Sequence, residues 1–162
     1  MRTNIATAAL AVVLVAGPSH AAGDMQWTTS RTGGSEIEVP VFMAEGFVRG
    51  LMSNGEDYGT AFEPERYPVQ LRQYRSLDAK GTPFQRIRSV LAHDGSEVTY
   101  RFDTARVGAI SGYSGDGKDI FYGMCRRSAS TTVCFDATWP REMQSMMGPV
   151  VERIAKRFRQ GG

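Results

Sequence analysis

Side chains that usually carry chemistry are scarce in this chain. Among its 162 residues there are two histidines, His20 and His93, and two cysteines, Cys125 and Cys134. His20 lies in a segment expected to be removed and the two cysteines are expected to bond each other, so His93 alone cannot build a four-ligand zinc site, and no metal is expected. Asp116 and Asp119 lack the spacing of a twelve-residue calcium loop. No Gly-x-Ser-x-Gly nucleophile elbow occurs. Excess charge is missing too: 19 Lys and Arg stand against 17 Asp and Glu. A near-neutral chain gives little reason to expect nucleic acid or an anionic membrane as partner. Internal repeats and low-complexity tracts are absent, and 41% hydrophobic residues suit a packed domain rather than a disordered chain.

The longest apolar run, Ile5 to Ala16, is about a dozen residues, short of the roughly 20 that cross a bilayer as a helix. Met1 and Arg2 precede it, Gly17-Pro18 break it, and Ser19-His20-Ala21-Ala22 supply small residues for cleavage. Residues 1–22 therefore read as a secretory signal cut after Ala21 or Ala22. The alternative is an uncleaved anchor. No stable membrane insertion is expected after cleavage. The mature chain then has about 140 residues, with 18 basic and 17 acidic side chains. Residues 23–34, with Thr28-Thr29-Ser30 and Gly33-Gly34, read as a flexible lead-in in which Trp27 is suited to dock. Residues 35–160 read as a single α+β domain. A periplasmic or secreted location follows.

Alternation predicts a first strand at Glu36–Val41, then strands at 58–62 and 69–74 on either side of Pro64 and Pro68. The segment 42–51 fits a short helix, and Asn54-Gly55-Glu56-Asp57 a turn. Thr82-Pro83-Phe84-Gln85 is a capping box with proline at the first helical position. The helix it starts buries Phe84, Ile87, Val90 and Leu91 and ends near His93-Asp94-Gly95. A four-strand meander follows: Val98, Tyr100 and Phe102 alternate, then come 107–113, 119–127 and 130–138. Trp139-Pro140 opens a helical stretch through Met147. Gly148-Pro149 interrupts it, and a second helix from Pro149 to about Phe158 buries Val150, Val151, Ile154, Ala155 and Phe158.

The last hairpin is fixed by its register. With Cys125 opposite Cys134, Met124 meets Phe135, Tyr122 meets Ala137 and Ile120 meets Trp139 on one face. Arg127–Thr132, Gly123–Asp136 and Phe121–Thr138 share the other. One register thus sorts the apolar set and joins the sulfurs. A disulfide between Cys125 and Cys134 fits an exported protein. A redox pair is the weaker alternative, because the spacing is not Cys-x-x-Cys and no helix N-terminus stands at Cys125.

The element order resembles the PsbP-like fold. More specifically, the chain is similar to small exported bacterial proteins of unassigned role. The carrying residues are Ser111-Gly112-Tyr113, Ile120-Phe121-Tyr122, Cys125, Cys134-Phe135, Trp139-Pro140 and Pro149-Val150-Val151-Glu152-Arg153-Ile154. The resemblance spans about Glu36 to Arg159. It implies a single antiparallel sheet packed against two or three helices, an α/β sandwich. It also implies an accessory or binding role rather than an enzyme. Arg106-Val107-Gly108 departs from the pattern, where a bulky aromatic would precede the strand.

Candidates for chemistry are few. His93, with Ser89 and Asp94 near it in sequence, sits at a helix end, where a solvated role is the simpler reading. Glu56-Asp57 and Glu63/Glu65 are the carboxylates available to a hydrolase. Gly112, Gly115 and Gly117 read as hairpin punctuation, because no helix follows to make a phosphate loop. Met143, Met146 and Met147 form a candidate partner surface, with core packing as the alternative. No catalytic residue and no cofactor are expected. The favoured function is a non-catalytic exported binding module for a protein or envelope component, a peptidoglycan fragment or a small ligand. The alternatives are an envelope or secretion chaperone using the methionines, and a carboxylate-dependent hydrolase.

Overall fold

The computed structural model describes residues 25–45, 47–51, 57–76, 81–129 and 131–160. The expected signal at 1–22 and most of the expected turn at 54–57 lie outside them. The chain runs β1 (Trp27–Thr32), β2 (Ser35–Pro40), α1 (Val41–Ala44), β3 (Phe47–Leu51), β4 (Asp57–Phe62) and β5 (Gln70–Ser76). After α2 (Pro83–Leu91) come β6 (Glu97–Asp103), β7 (Val107–Tyr113), β8 (Asp119–Ser128) and β9 (Thr131–Pro140). A 3-10 turn at Arg141–Met143, α3 (Gln144–Arg157) and β10 (Arg159–Gln160) close it. Seven strands make one antiparallel sheet in the order β3-β4-β5-β9-β8-β7-β6, and β1, β2 and β10 make a second, small sheet. The class is α+β, as expected; the small sheet is an addition to it.

The β8–β9 register is the expected one throughout, with Cys125 opposite Cys134, Met124 opposite Phe135, Tyr122 opposite Ala137 and Ile120 opposite Trp139. The sulfurs are bonded at 2.00 Å, with Cα atoms 4.1 Å apart. Because paired residues point the same way, the apolar set and the disulfide occupy opposite faces. Val133, Phe135, Ala137 and Trp139 join Met147, Val150, Val151, Ile154 and Phe158 in a core between the sheet and α3. Cys125 and Cys134 join Tyr74, Phe84, Ile87, Leu91, Ile110 and Phe121 under α2.

The capping box forms as read: Gln85 N donates to Thr82 Oγ1 at 3.1 Å and Thr82 N donates to Gln85 Oε1 at 2.8 Å. The helix lies on strands stripped of side chains. A Cβ at Gly108 would stand 2.1 Å from Phe84 N, and one at Gly123 would stand 2.5 Å from Leu91 Cδ1. Gly112 is a close-approach position against β6 rather than a turn residue, since its Cβ would meet Glu97 O at 2.0 Å. At Gly108 the backbone of Phe84 occupies the space a side chain would need.

Four other expectations are corrected. The lead-in at 23–34 is not wholly irregular, because Trp27–Thr32 pairs with β2 around the Gly33-Gly34 turn. Buried Gln73 holds this hairpin to the main sheet, donating to Ser35 O and Ser35 Oγ at 3.0 Å and to Ser30 O at 3.3 Å. Trp139-Pro140 ends β9 instead of opening a helix. And α3 runs unbroken through Gly148-Pro149. Without a Cβ, Gly148 escapes the usual clash with the following proline ring, and the apolar burial of Met147, Val150 and Val151 on either side holds the turn. Segment 42–51 splits into α1 and β3.

Glu38 of β2 clamps α3. Arg153 Nε reaches its Oε2 at 2.8 Å, and Arg157 bonds its Oε1. Burial pushes this carboxyl up, but the two guanidinium groups outweigh it and hold it below the usual carboxylate range.

Two outcomes follow. Replacing both cysteines by serine should lower stability by at most about 2–3 kcal/mol in chain-entropy terms, because the loop closed is short; urea unfolding measures it, and an unchanged midpoint would make the bond irrelevant to the fold. Gly108→Ala should cost about 1–3 kcal/mol by forcing α2 off the sheet, read as a lowered urea midpoint with β-sheet circular dichroism retained.

Candidate functional site

Helices cover the sheet unequally. On the face carrying Phe135 and Trp139, α3 packs over β2, β9 and β8. Edge strand β6 lies beyond its reach, with six of seven residues exposed. Register places the side chains of this open half in rows. Phe102 stands opposite Ala109, which stands opposite Met124; Tyr100 stands opposite Ser111, which stands opposite Tyr122. Small residues of β7 thus form a floor between larger ones on β6 and β8. Ala109 is buried, whereas Phe102 is 38% exposed. Tyr122 and Met124 are half-buried and lie at the margin of the α3 core, where Tyr122 stacks on Phe135 with ring centroids 5.8 Å apart. Arg141 covers Tyr113 at 4.3 Å and bounds one end of the trough.

The other end carries Arg126, opposite both Val107 and Val133. Its Nε is shielded from solvent and donates to no acceptor among the described residues. Where β7 and β8 end, a concavity of about 370 Å³ is lined by Ala105, Arg106, Arg127, Ser128 and Ala129, with Arg127 paired to Thr132 on the sheet face opposite Arg126. Arg127 Nε donates to Thr132 Oγ1 at 3.0 Å. Burial raises the Tyr122 phenol well above the usual tyrosine range; Tyr100 adds to this and Arg126 opposes it. Tyr122 therefore stays a neutral hydroxyl at the trough's edge, able to donate one hydrogen bond and accept others.

These residues were missed as a site in the sequence. Alternation of Val98, Tyr100 and Phe102 looked like an inward face, but β6 is an edge strand and a register shift between Val98 and Tyr100 breaks the alternation. Val98 is 43% exposed. The available signal was the run of small residues on β7, which marks a floor rather than a wall.

The three methionines pack on the α3 side of the sheet. Met147 is fully buried, and Met143 and Met146 are half-buried against the same core. His93 and Asp94 are exposed beyond α2, and Ser89 Oγ bonds its own helix at Arg86 O, 2.8 Å away; no triad is assembled from them. Glu63 and Glu65 are exposed on the β4–β5 connection, and Glu63 accepts from Gln70 Nε2. The side chains of Glu56 and Asp57 lie outside the described residues. Among the described residues no group of three or more His, Cys, Asp or Glu is placed to hold a metal, and no helix is long and apolar enough to cross a membrane.

The architecture is the PsbP-like fold: an antiparallel sheet with helices on both faces. The chain is similar to the solution structure of cyanobacterial PsbP (CyanoP) from Synechocystis sp. PCC 6803, with a TM-score of 0.56 and 12% identity over 89% of this chain and 98% of that one. LpqN of Mycobacterium tuberculosis, a protein involved in cell envelope biogenesis, aligns over 88% of this chain and 98% of its own at 12% identity, but with a TM-score of 0.45; nothing below rests on it. No protein-family model and no curated protein matches the chain in sequence.

The Tyr122 environment has a pH consequence. The native state holds this proton more tightly than the unfolded chain, whose tyrosines ionise near about 10. The stabilisation is complete below that pH and is lost as pH climbs towards the raised native value. Tyr122→Phe should flatten the alkaline fall in thermal stability relative to wild type; an identical slope in the two proteins would refute the assignment.

Proposed function

We propose that this protein is an exported, non-catalytic binding or accessory module, and that it binds through the open half of the α3 face. The carrying observation is the trough of Tyr100, Phe102, Tyr122 and Met124 over Ala109 and Ser111, left uncovered beside a well-packed core. A shallow surface with rigid aromatic rings and few convergent polar groups suits recognition. The carboxylate-hydrolase reading has less support, because Glu63 and Glu65 are exposed and Glu63 is engaged by Gln70. The chaperone reading has less support, because Met147 is fully buried and Met143 and Met146 are half-buried. Export is supported by the signal-like N-terminus and by the disulfide, which suits an oxidising compartment.

The full chain, produced in a bacterium and fractionated, should appear outside the cytosol beginning near residue 22, with no thiol reacting before reduction. A photo-crosslinking residue at position 102 should give a discrete adduct in the envelope or medium, and one at position 89 on α2 should not. Adducts at 89 alone, or free thiols in the exported protein, would defeat the proposal.

A further inference from the structure

Edge strand β6 ends the strand order of the main sheet, and six of its seven residues are exposed. Among the described residues no strand pairs with its outer side. It holds no proline and no lysine, the residues that commonly keep an edge from pairing. The register shift between Val98 and Tyr100 blunts only its first half. From Tyr100 to Asp103 the strand is regular, and Phe102 keeps 38% of its surface in solvent.

Hydrogen bonding at the β6–β7 turn fixes which backbone groups face outward. Thr104 N donates to Val107 O at 2.9 Å, so this pair turns its polar groups inward. Backbone direction alternates along a strand. Phe102 and Tyr100 therefore bond towards β7, while Arg101 and Asp103 turn N–H and C=O to the open side. A strand that joins this edge must bond those two residues.

A second copy of β6 carries what they require. Pairing two such edges about a two-fold axis can oppose Arg101 to Arg101, Asp103 to Asp103, or each Arg101 to the other copy's Asp103. The first two set like charges directly opposite, which destabilises a pair of strands. The third opposes unlike charges twice. It also sets Phe102 against Phe102 at the axis, in a non-hydrogen-bonded pair, where side chains approach most closely. Faces match as well: Arg101 lies on the α2 side, over the Phe84 ring at 4.3 Å, and Phe102 lies on the α3 side, opposite Ala109. Within one copy Arg101 holds Asp103 at 3.0 Å, but the two side chains are 64% and 31% exposed, so this pair contributes little and exchanges readily. A strand of another protein would need an acid and a base at the same spacing.

We propose that two copies of this chain join edge to edge through β6, in the register that opposes Arg101 to Asp103 and Phe102 to itself. The two main sheets then continue as one. Their open α3-side faces, with Tyr100 and Phe102 of both copies, merge into a single surface about the axis. This goes beyond the envelope role and does not rest on it.

The exported, disulfide-bonded chain, purified alone, tests the proposal by sedimentation. Monomer should pass to dimer over about 10–100 µM, because a contact this short falls among the weak, transient ones. Arg101→Glu and Asp103→Arg should each weaken association roughly tenfold or more. Mixed in equal amounts, these two variants oppose unlike charges at both positions, so the mixture should regain the dimer that neither forms alone. Phe102→Ser should weaken association of the otherwise unchanged chain. A photo-crosslinking residue at position 102 of the purified chain should give an adduct of twice the chain's own mass, a readout that needs no charge variant to fold. A chain that stays monomeric at about 1 mM, a dimer indifferent to either charge reversal, or a mixture no more associated than its components would overturn the dimer. An adduct at position 102 with an envelope component, and none in the purified chain, overturns the dimer and leaves the envelope role standing.

Discussion

The pairing of β8 with β9 governs the rest of the molecule. Setting Cys125 against Cys134 also commits Met124, Tyr122 and Ile120 to the face of Phe135, Ala137 and Trp139. A slip by one residue would turn the apolar set away from α3 and separate the sulfurs. Both cores inherit their membership from this one register: one on the α3 side, the other around the disulfide on the α2 side. The covalent bond and the burial of apolar surface select the same alignment, so neither works against the other.

Two helices use the two faces by different means. Under α2, Gly108 and Gly123 remove the side chains that would hold a helix away, so close contact comes from absence. Under α3, large residues interdigitate, and Glu38, Arg153 and Arg157 pin the helix to β2. Gln73 then fastens the β1–β2 hairpin by satisfying backbone and hydroxyl acceptors that burial would otherwise leave costly. The main sheet is wider than the area α3 covers. The remainder, on β6 and β7, is where Phe102 stands exposed beside small, buried Ala109, and it is the surface proposed for recognition.

Much of this was legible in residue order. The capping box at Thr82–Gln85 and the four-strand meander are local instructions, and the structure carries them out. Local reading failed where a distant partner decided. Trp27–Thr32 looks like a polar tether until β2 and Gln73 are beside it. Gly148-Pro149 looks like a break until the burial of its neighbours holds the turn. Met147 is indistinguishable from an exposed methionine by sequence alone, because its fate depends on which strands lie below it.

The amino-acid order by itself determined the hairpin register, the disulfide and the α2 cap, because each depends on residues within one or two turns of chain. Tertiary structure alone decided which strand became the sheet edge, and hence that Phe102 faces water and Arg126 keeps a shielded donor. Alternation reports that a strand has an apolar side; whether a helix reaches far enough to cover that side depends on the width of the whole sheet.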